Sequence, residues 1–167
     1  MPYSRDEALA MGAGSPADVA APASGVLRDG RHLLPVRVYY EDTDFSGVVY
    51  HASYLRFLER GRTEFLRAAG VDQSSLHAEG DLFFAVRRLT IEYLRPARMD
   101  DVLVVETRTA DVRGASLVIA QRILRGGEAL ATADVRVAAI AGGRPVRIPE
   151  GLRSILSRPD GGRTAAA

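Results

Sequence analysis

Cysteine, lysine, asparagine and tryptophan are all missing from this 167-residue chain. Without cysteine there is no disulfide scaffold, no thiolate zinc site and no cysteine nucleophile. Three histidines (His32, His51 and His77) are too few for a histidine-rich metal site, so none is expected. Every basic side chain is arginine, so any phosphate site must use guanidinium forks or backbone amides. No run of 18 apolar residues occurs, and no membrane-spanning helix is expected. A formal charge of +1 supplies no bulk attraction to nucleic acid or acidic membranes, and neither is expected as a partner.

What is present is enough for one globular domain, with 47% hydrophobic residues to build its core. Residues 1–33 are dominated by Ala, Gly, Pro and Ser and read as a flexible extension. They lack an apolar segment behind a basic start, so a cytoplasmic protein is expected rather than one with a signal peptide. The folded domain is expected over residues 34–150. Residues 151–167 follow it, a short amphipathic helix beginning at Glu150 and then a disordered Arg/Gly/Ala tail.

Residues 35–40 read as a short strand entered through Pro35. From Val49 to Ala69 the period changes. Tyr54, Leu58, Gly61, Phe65 and Ala69 recur at helical steps, with Leu55, Phe57 and Leu66 widening the apolar stripe. Glu59 with Arg62, and Glu64 with Arg67, are spaced to pair along the polar side. Residues 71–81 read as irregular. Four strands are then expected, at about 83–95, 102–112, 115–125 and 128–140, with turns at Arg113-Gly114 and Gly126-Gly127. The order β-α-β-β-β-β, without parallel crossovers, predicts an α+β fold in which one long helix and an antiparallel sheet of about five strands bury each other.

The chemistry gathers between the first strand and the long helix, in Glu41-Asp42-Thr43-Asp44-Phe45-Ser46-Gly47-Val48-Val49-Tyr50-His51. Asp44 is ionised at neutral pH and can act as general base or nucleophile. Amides at the helix start, around Val49 to His51, can hold a developing oxyanion. His51 can orient substrate, donate a proton or fix Asp44. The competing reading makes Asp42, Thr43, Asp44 and Ser46 ordinary turn and cap residues. A metal held by Glu41, Asp42, Asp44 and His51 is a further alternative. Tyr50 and Tyr54 either border an acyl pocket or belong to the core. Glu59 is read as a salt-bridge partner, and His32 and His77 as surface residues. No nucleophile elbow surrounds Ser46, so a serine hydrolase is not expected.

The run Val36 to Asp44, then Gly47-Val48-Val49-Tyr50-His51, Tyr54-Leu55, Phe57-Leu58-Glu59-Arg60 and Arg62-Thr63-Glu64, resembles the 4-hydroxybenzoyl-CoA thioesterase family. Within it the likeness is strongest to the acyl-CoA thioesterases associated with the Tol-Pal system. It continues through Ile91-Glu92-Tyr93 and Val112-Arg113-Gly114-Ala115 to the last strand. The resemblance implies a hotdog fold, with dimers that extend the sheet across two chains, tetramers built from them, and active sites between subunits. It implies hydrolysis of a short-chain or aromatic acyl-CoA with no cofactor. An acyl carrier protein is an alternative acyl donor, and a hotdog hydratase or a weakly catalytic binding protein an alternative function. By motif position Asp44 and His51 are the catalytic pair. Gly47, Val49, Tyr50 and Tyr54 border the substrate, the His51 amide polarises the thioester carbonyl, and Arg113 meets the nucleotide part of CoA.

Overall fold

The computed structural model describes residues 24–157. The expected N-terminal extension up to residue 23 and the tail beyond residue 157 lie outside them. Strands β1 (Val26–Arg28) and β2 (Arg31–Arg37) form a hairpin. A single 3-10 turn (Tyr40–Asp42) and the loop that follows lead into α1 (His51–Ala68). Then come α2 (Gln73–Gly80), β3 (Phe83–Tyr93), β4 (Val102–Arg113), β5 (Ser116–Arg125), β6 (Glu128–Ala141), β7 (Arg144–Pro145) and α3 (Glu150–Leu156).

All pairings are antiparallel, and the sheet order is β1-β2-β4-β5-β6-β3, with β7 on the end of β6. The helix-facing positions alternate along each strand as a half-buried sheet requires. They are Leu34 and Val36, Leu103 and Val105, Leu117, Ile119 and Ile123, and Ala131, Ala133, Val135 and Val137. Against them α1 lays Tyr54, Phe57, Leu58, Phe65 and Leu66, all buried. Gly61 lets the helix approach closest, since a Cβ there would sit 2.6 Å from Val105 Cγ1. This is the hotdog arrangement, one long helix against one antiparallel sheet.

Five details depart from the sequence expectations. Ordered strand begins at Val26 and the β2 strand at Arg31, upstream of the boundary expected at residue 34. That register turns His32 inward. It is fully buried rather than on the surface, with Nε2 2.7 Å from the Ser24 carbonyl, and burial pushes its pKa down. Residues 73–80 are helical, not irregular, because the Asp72 carboxylate caps them by accepting from the amides of Ser74 and Ser75. The sheet has seven strands instead of about five, because two of them are only two and three residues long. Glu64 and Arg67 do pair, whereas Glu59 accepts from the Thr63 hydroxyl at 2.8 Å in place of the expected bond to Arg62.

Candidate active site

The loop before α1 is a small hairpin of its own. Thr43 bridges Val49, the Asp44 amide donates to the Val48 carbonyl at 2.9 Å, and the Gly47 amide donates to the Asp44 carbonyl at 3.0 Å. Gly47 adopts φ of +76°, a left-handed conformation that costs glycine little and other residues more. The hairpin is docked on the body of the fold. The Val49 amide donates to the Ala97 carbonyl at 2.8 Å, and the buried Tyr54 hydroxyl accepts from the Ala97 amide at 2.9 Å.

The two aspartates of the loop are sorted by this geometry. Asp42 is buried, and its carboxylate accepts from the Tyr39 amide at 2.9 Å. It is a structural cap. Asp44 is exposed, and its Oδ1 accepts from both the amide (2.8 Å) and the hydroxyl of Ser46. The Ser46 hydroxyl, ahead of its amide, holds the Asp44 carboxyl below the usual carboxylate range. Asp44 is therefore an anion at any pH near neutrality.

Helix α1 starts without a side-chain cap and without an acid in its first turn, so its positive end is left for something else. The sequence proposed the amides from Val49 to His51 for this role. In the structure Val49 is engaged by Ala97 and Tyr50 by the Asp42 carbonyl at 2.8 Å, while Ser53 donates back to Tyr50. The amides of His51 and Ala52 remain, with no protein partner among the described residues. The His51 ring packs against Tyr50 at a tilt of 56°, with centroids 4.3 Å apart, and meets Tyr93 edge-on at 6.5 Å. No hydrogen bond joins it to Asp44 among the described residues. The Tyr93 hydroxyl donates to the His51 carbonyl at 3.0 Å. Val49, His51, Tyr54, Tyr93, Leu94, Arg95 and Pro96 line an open hollow of about 300 Å³ at the helix start.

The structure thus gathers Asp44, Gly47, Val49, Tyr50, His51 and Tyr54 at one end of the sheet. Tyr54 is core as well as wall, since it is 3% exposed. Arg113 is not with them. It lies at the β4–β5 turn, paired with Asp111 at 2.9 Å, at the opposite end of strands that run for roughly 35 Å. Two contributors escaped the sequence reading, Ser46 as the partner of Asp44 and Tyr93 as the support of His51. The Asp-x-Ser spacing of an Asx turn could have revealed the first. Nothing local reveals the second. Among the described residues no group of three or more His, Asp or Glu is placed to hold a metal, and Asp42, turned inward, removes itself from the set considered from sequence.

Ser46→Ala should raise the Asp44 pKa, because it removes the larger of the two Ser46 contacts that lower it. The acidic limb of a kcat/KM–pH profile should move to higher pH, with the neutral plateau less affected. An unmoved limb would detach Asp44 from the reaction.

Residues 38–156 match the Thioesterase-like superfamily, and the chain belongs to that family. Its class is that of a thioester hydrolase. Over 128 residues it is 45% identical to the acyl-CoA thioesterase YbgC of Haemophilus influenzae, covering 75% of this chain and 94% of that protein. It is 54% identical over 96 residues to the acyl-CoA thioester hydrolase YbgC of Escherichia coli O6:H1, with 58% and 71% covered. A probable thioesterase from Bartonella henselae superposes with a TM-score of 0.68 at 46% identity, covering 71% of this chain and 99% of that one. A 4-hydroxybenzoyl-CoA thioesterase bound to 4-hydroxybenzoyl-CoA shares the fold, with a TM-score of 0.73 at 19% identity over 77% and 99%. Among the described residues no helix is long and apolar enough to cross a membrane.

Proposed function

We propose that the protein is an acyl-CoA thioesterase that releases a free acid and CoA. The observation that carries this reading is the pair of unpartnered amides, His51 and Ala52, at the start of α1, together with an exposed, ionised Asp44 on the short hairpin that leads into that helix. The carbonyl oxygen of the thioester sits on those amides, which stabilise the negative charge that develops there. Asp44 either takes the proton of an attacking water or attacks the carbonyl itself, forming an anhydride that water then opens. In both routes the carbon–sulfur bond breaks and CoA leaves as the thiol. The His51 ring borders the same space and positions the thioester or supplies the proton to sulfur. Gly47 keeps the loop tight, while Val49, Tyr50 and Tyr54 shape the wall.

The working form is a dimer. Strand β3 is the edge of the sheet beyond β6, and eleven residues of it face no neighbour on their outer side among the described residues. Phe83, Val86, Tyr93 and the adjoining Leu94 are exposed along it, as are Tyr50 just before α1 and Leu55 within it. A long unpaired edge of this kind invites pairing, and two β3 edges can pair antiparallel about a two-fold axis. That pairing would bring the β4–β5 turn of one chain, with Arg113 of the partner subunit, toward the loop end of the other, where an arginine suits a CoA phosphate. The protein acts in the cytoplasm, where acyl-CoA is found.

The test is thiol release over short-chain, long-chain and aromatic acyl-CoAs, with products identified and mass measured by light scattering. Free CoA and a mass of twice 18.0 kDa or a multiple of it are the expected results. An intact hydroxyacyl thioester as product would make the protein a hydratase. Tight acyl-carrier binding with no thiol released would make it a binding protein.

A further inference from the structure

About 16 Å along the helix axis from His51, α1 borders a second and narrower cavity of about 160 Å³. Its floor is apolar, formed by Leu66, Phe84, Leu117, Ile119 and Val137, and Glu59, Arg62, Thr63 and Gln73 stand at its rim. A cavity of ~150 Å³ accommodates a benzene-sized group, so this one has room for a short acyl chain.

Arg62 is unusual among the arginines of this chain. Burial pushes its pKa down, and its Nη1 donates at 2.9 Å to Oε1 of Gln121, itself buried and held by Thr107 and the Leu58 carbonyl. The guanidinium is thereby fixed in place with most of its five donors uncommitted. It forms no ion pair among the described residues. Glu59, the nearest opposing charge, is exposed and tied to Thr63. Glu59 therefore acts on Arg62 as a nearby charge without engaging its donors, and the planar fork that remains open matches a carboxylate.

Within one chain this cavity lies too far from Asp44 to share a substrate. The strand edge changes that. Tyr93, at one end of β3, contacts His51, while Phe84 and Val86, at the other end, border the cavity. Antiparallel pairing of two β3 strands sets the Tyr93 end of one chain beside the Phe84 end of its partner. Each catalytic loop then faces the cavity of the other subunit.

We propose that the acyl group seats in the partner subunit's cavity, and that Arg62 there selects a short acyl chain ending in a carboxylate. The substrate class is thus the CoA monothioester of a short dicarboxylic acid. The proposal rests on the thioesterase reading and on the β3 pairing.

The test compares kcat/KM for succinyl-CoA and butyryl-CoA, which share a four-carbon chain and differ in the terminal carboxylate. The intact protein should prefer succinyl-CoA by at least about tenfold, the scale of one charged hydrogen bond. Arg62→Met should erase that preference, chiefly by raising KM for succinyl-CoA. A preference for butyryl-CoA, or a loss in Arg62→Met that is equal for both substrates, would overturn the proposal and leave the thioesterase reading standing. Calorimetric affinities of Asp44→Asn protein for the same two thioesters read the cavity without turnover and should show the same preference. Mixed dimers of Asp44→Asn and Arg62→Met chains should keep about half of the wild-type succinyl-CoA activity, because one of their two sites is then intact in both parts. Succinyl-CoA activity no higher than that of the Arg62→Met dimer would place both residues in one chain and overturn the shared site.

Discussion

Asp44→Asn is expected to lower kcat by about a hundred- to ten-thousand-fold, the range supplied by a positioned acid or base. The substitution separates chemistry from structure. The Asn side-chain oxygen can still accept from the amide and hydroxyl of Ser46, so the loop keeps its shape. What disappears is the negative charge, and with it both the basicity and the nucleophilicity of the carboxylate. Turnover should collapse on every substrate while thermal stability stays near that of the unaltered protein. Near-normal hydrolysis by purified Asp44→Asn would remove Asp44 from the mechanism. The corresponding change at Asp42 should behave differently. Its carboxylate serves the Tyr39 amide, so its loss should act through the loop's stability before it acts on the chemistry.

The second large effect falls on stability. Phe57→Ala should cost about 3–5 kcal/mol, the range for removing a buried aromatic ring. Phe57 is fully buried and packs edge-on to Tyr54, with ring centroids 6.3 Å apart. Tyr54 holds the Ala97 amide, and the Ala97 carbonyl holds Val49 at the base of the loop that carries Asp44. The cavity left by Phe57 therefore opens directly behind the loop's anchor. Chemical denaturation should show a lower midpoint with an unchanged slope, and activity should fall before global unfolding. A midpoint within experimental error of the unaltered protein would contradict the burial of Phe57 against Tyr54.

The long helix and its four main strands were legible because each announces itself by period over ten or more residues. Helix α2 was not, because Leu76 is the single large apolar residue among Gln73–Gly80 and no stripe can form. Its cap, Asp72 followed by Ser74 and Ser75, was the readable signal. Strands β1 and β7 are too short to show any alternation. The burial of His32 follows from a register set by pairing with β4, about 75 residues later, which no local pattern contains. At the site, residue types pointed to Asp44, His51 and the helix start. Which amides are free depends on Ala97, distant in sequence, and that could be read only from the fold. Arg62 was misassigned for the same reason. Spacing paired it with Glu59, whereas the sheet supplied Gln121.

The sheet order also governs how the chain comes into being. During synthesis α1 emerges early with only β2 to cover part of its apolar stripe, and the other strands that cover it, β4, β5 and β6, come later, the last of them ending at Ala141. The edge strand β3, made before all of them, must wait for β6 to arrive as its neighbour. Until then a helix bearing Phe57, Leu58 and Phe65 and an eleven-residue unpaired strand are exposed together. Long-range pairing of this kind is slow and leaves intermediates prone to aggregate. A nascent or truncated chain ending before β6 is thus the form of this protein most in need of a chaperone.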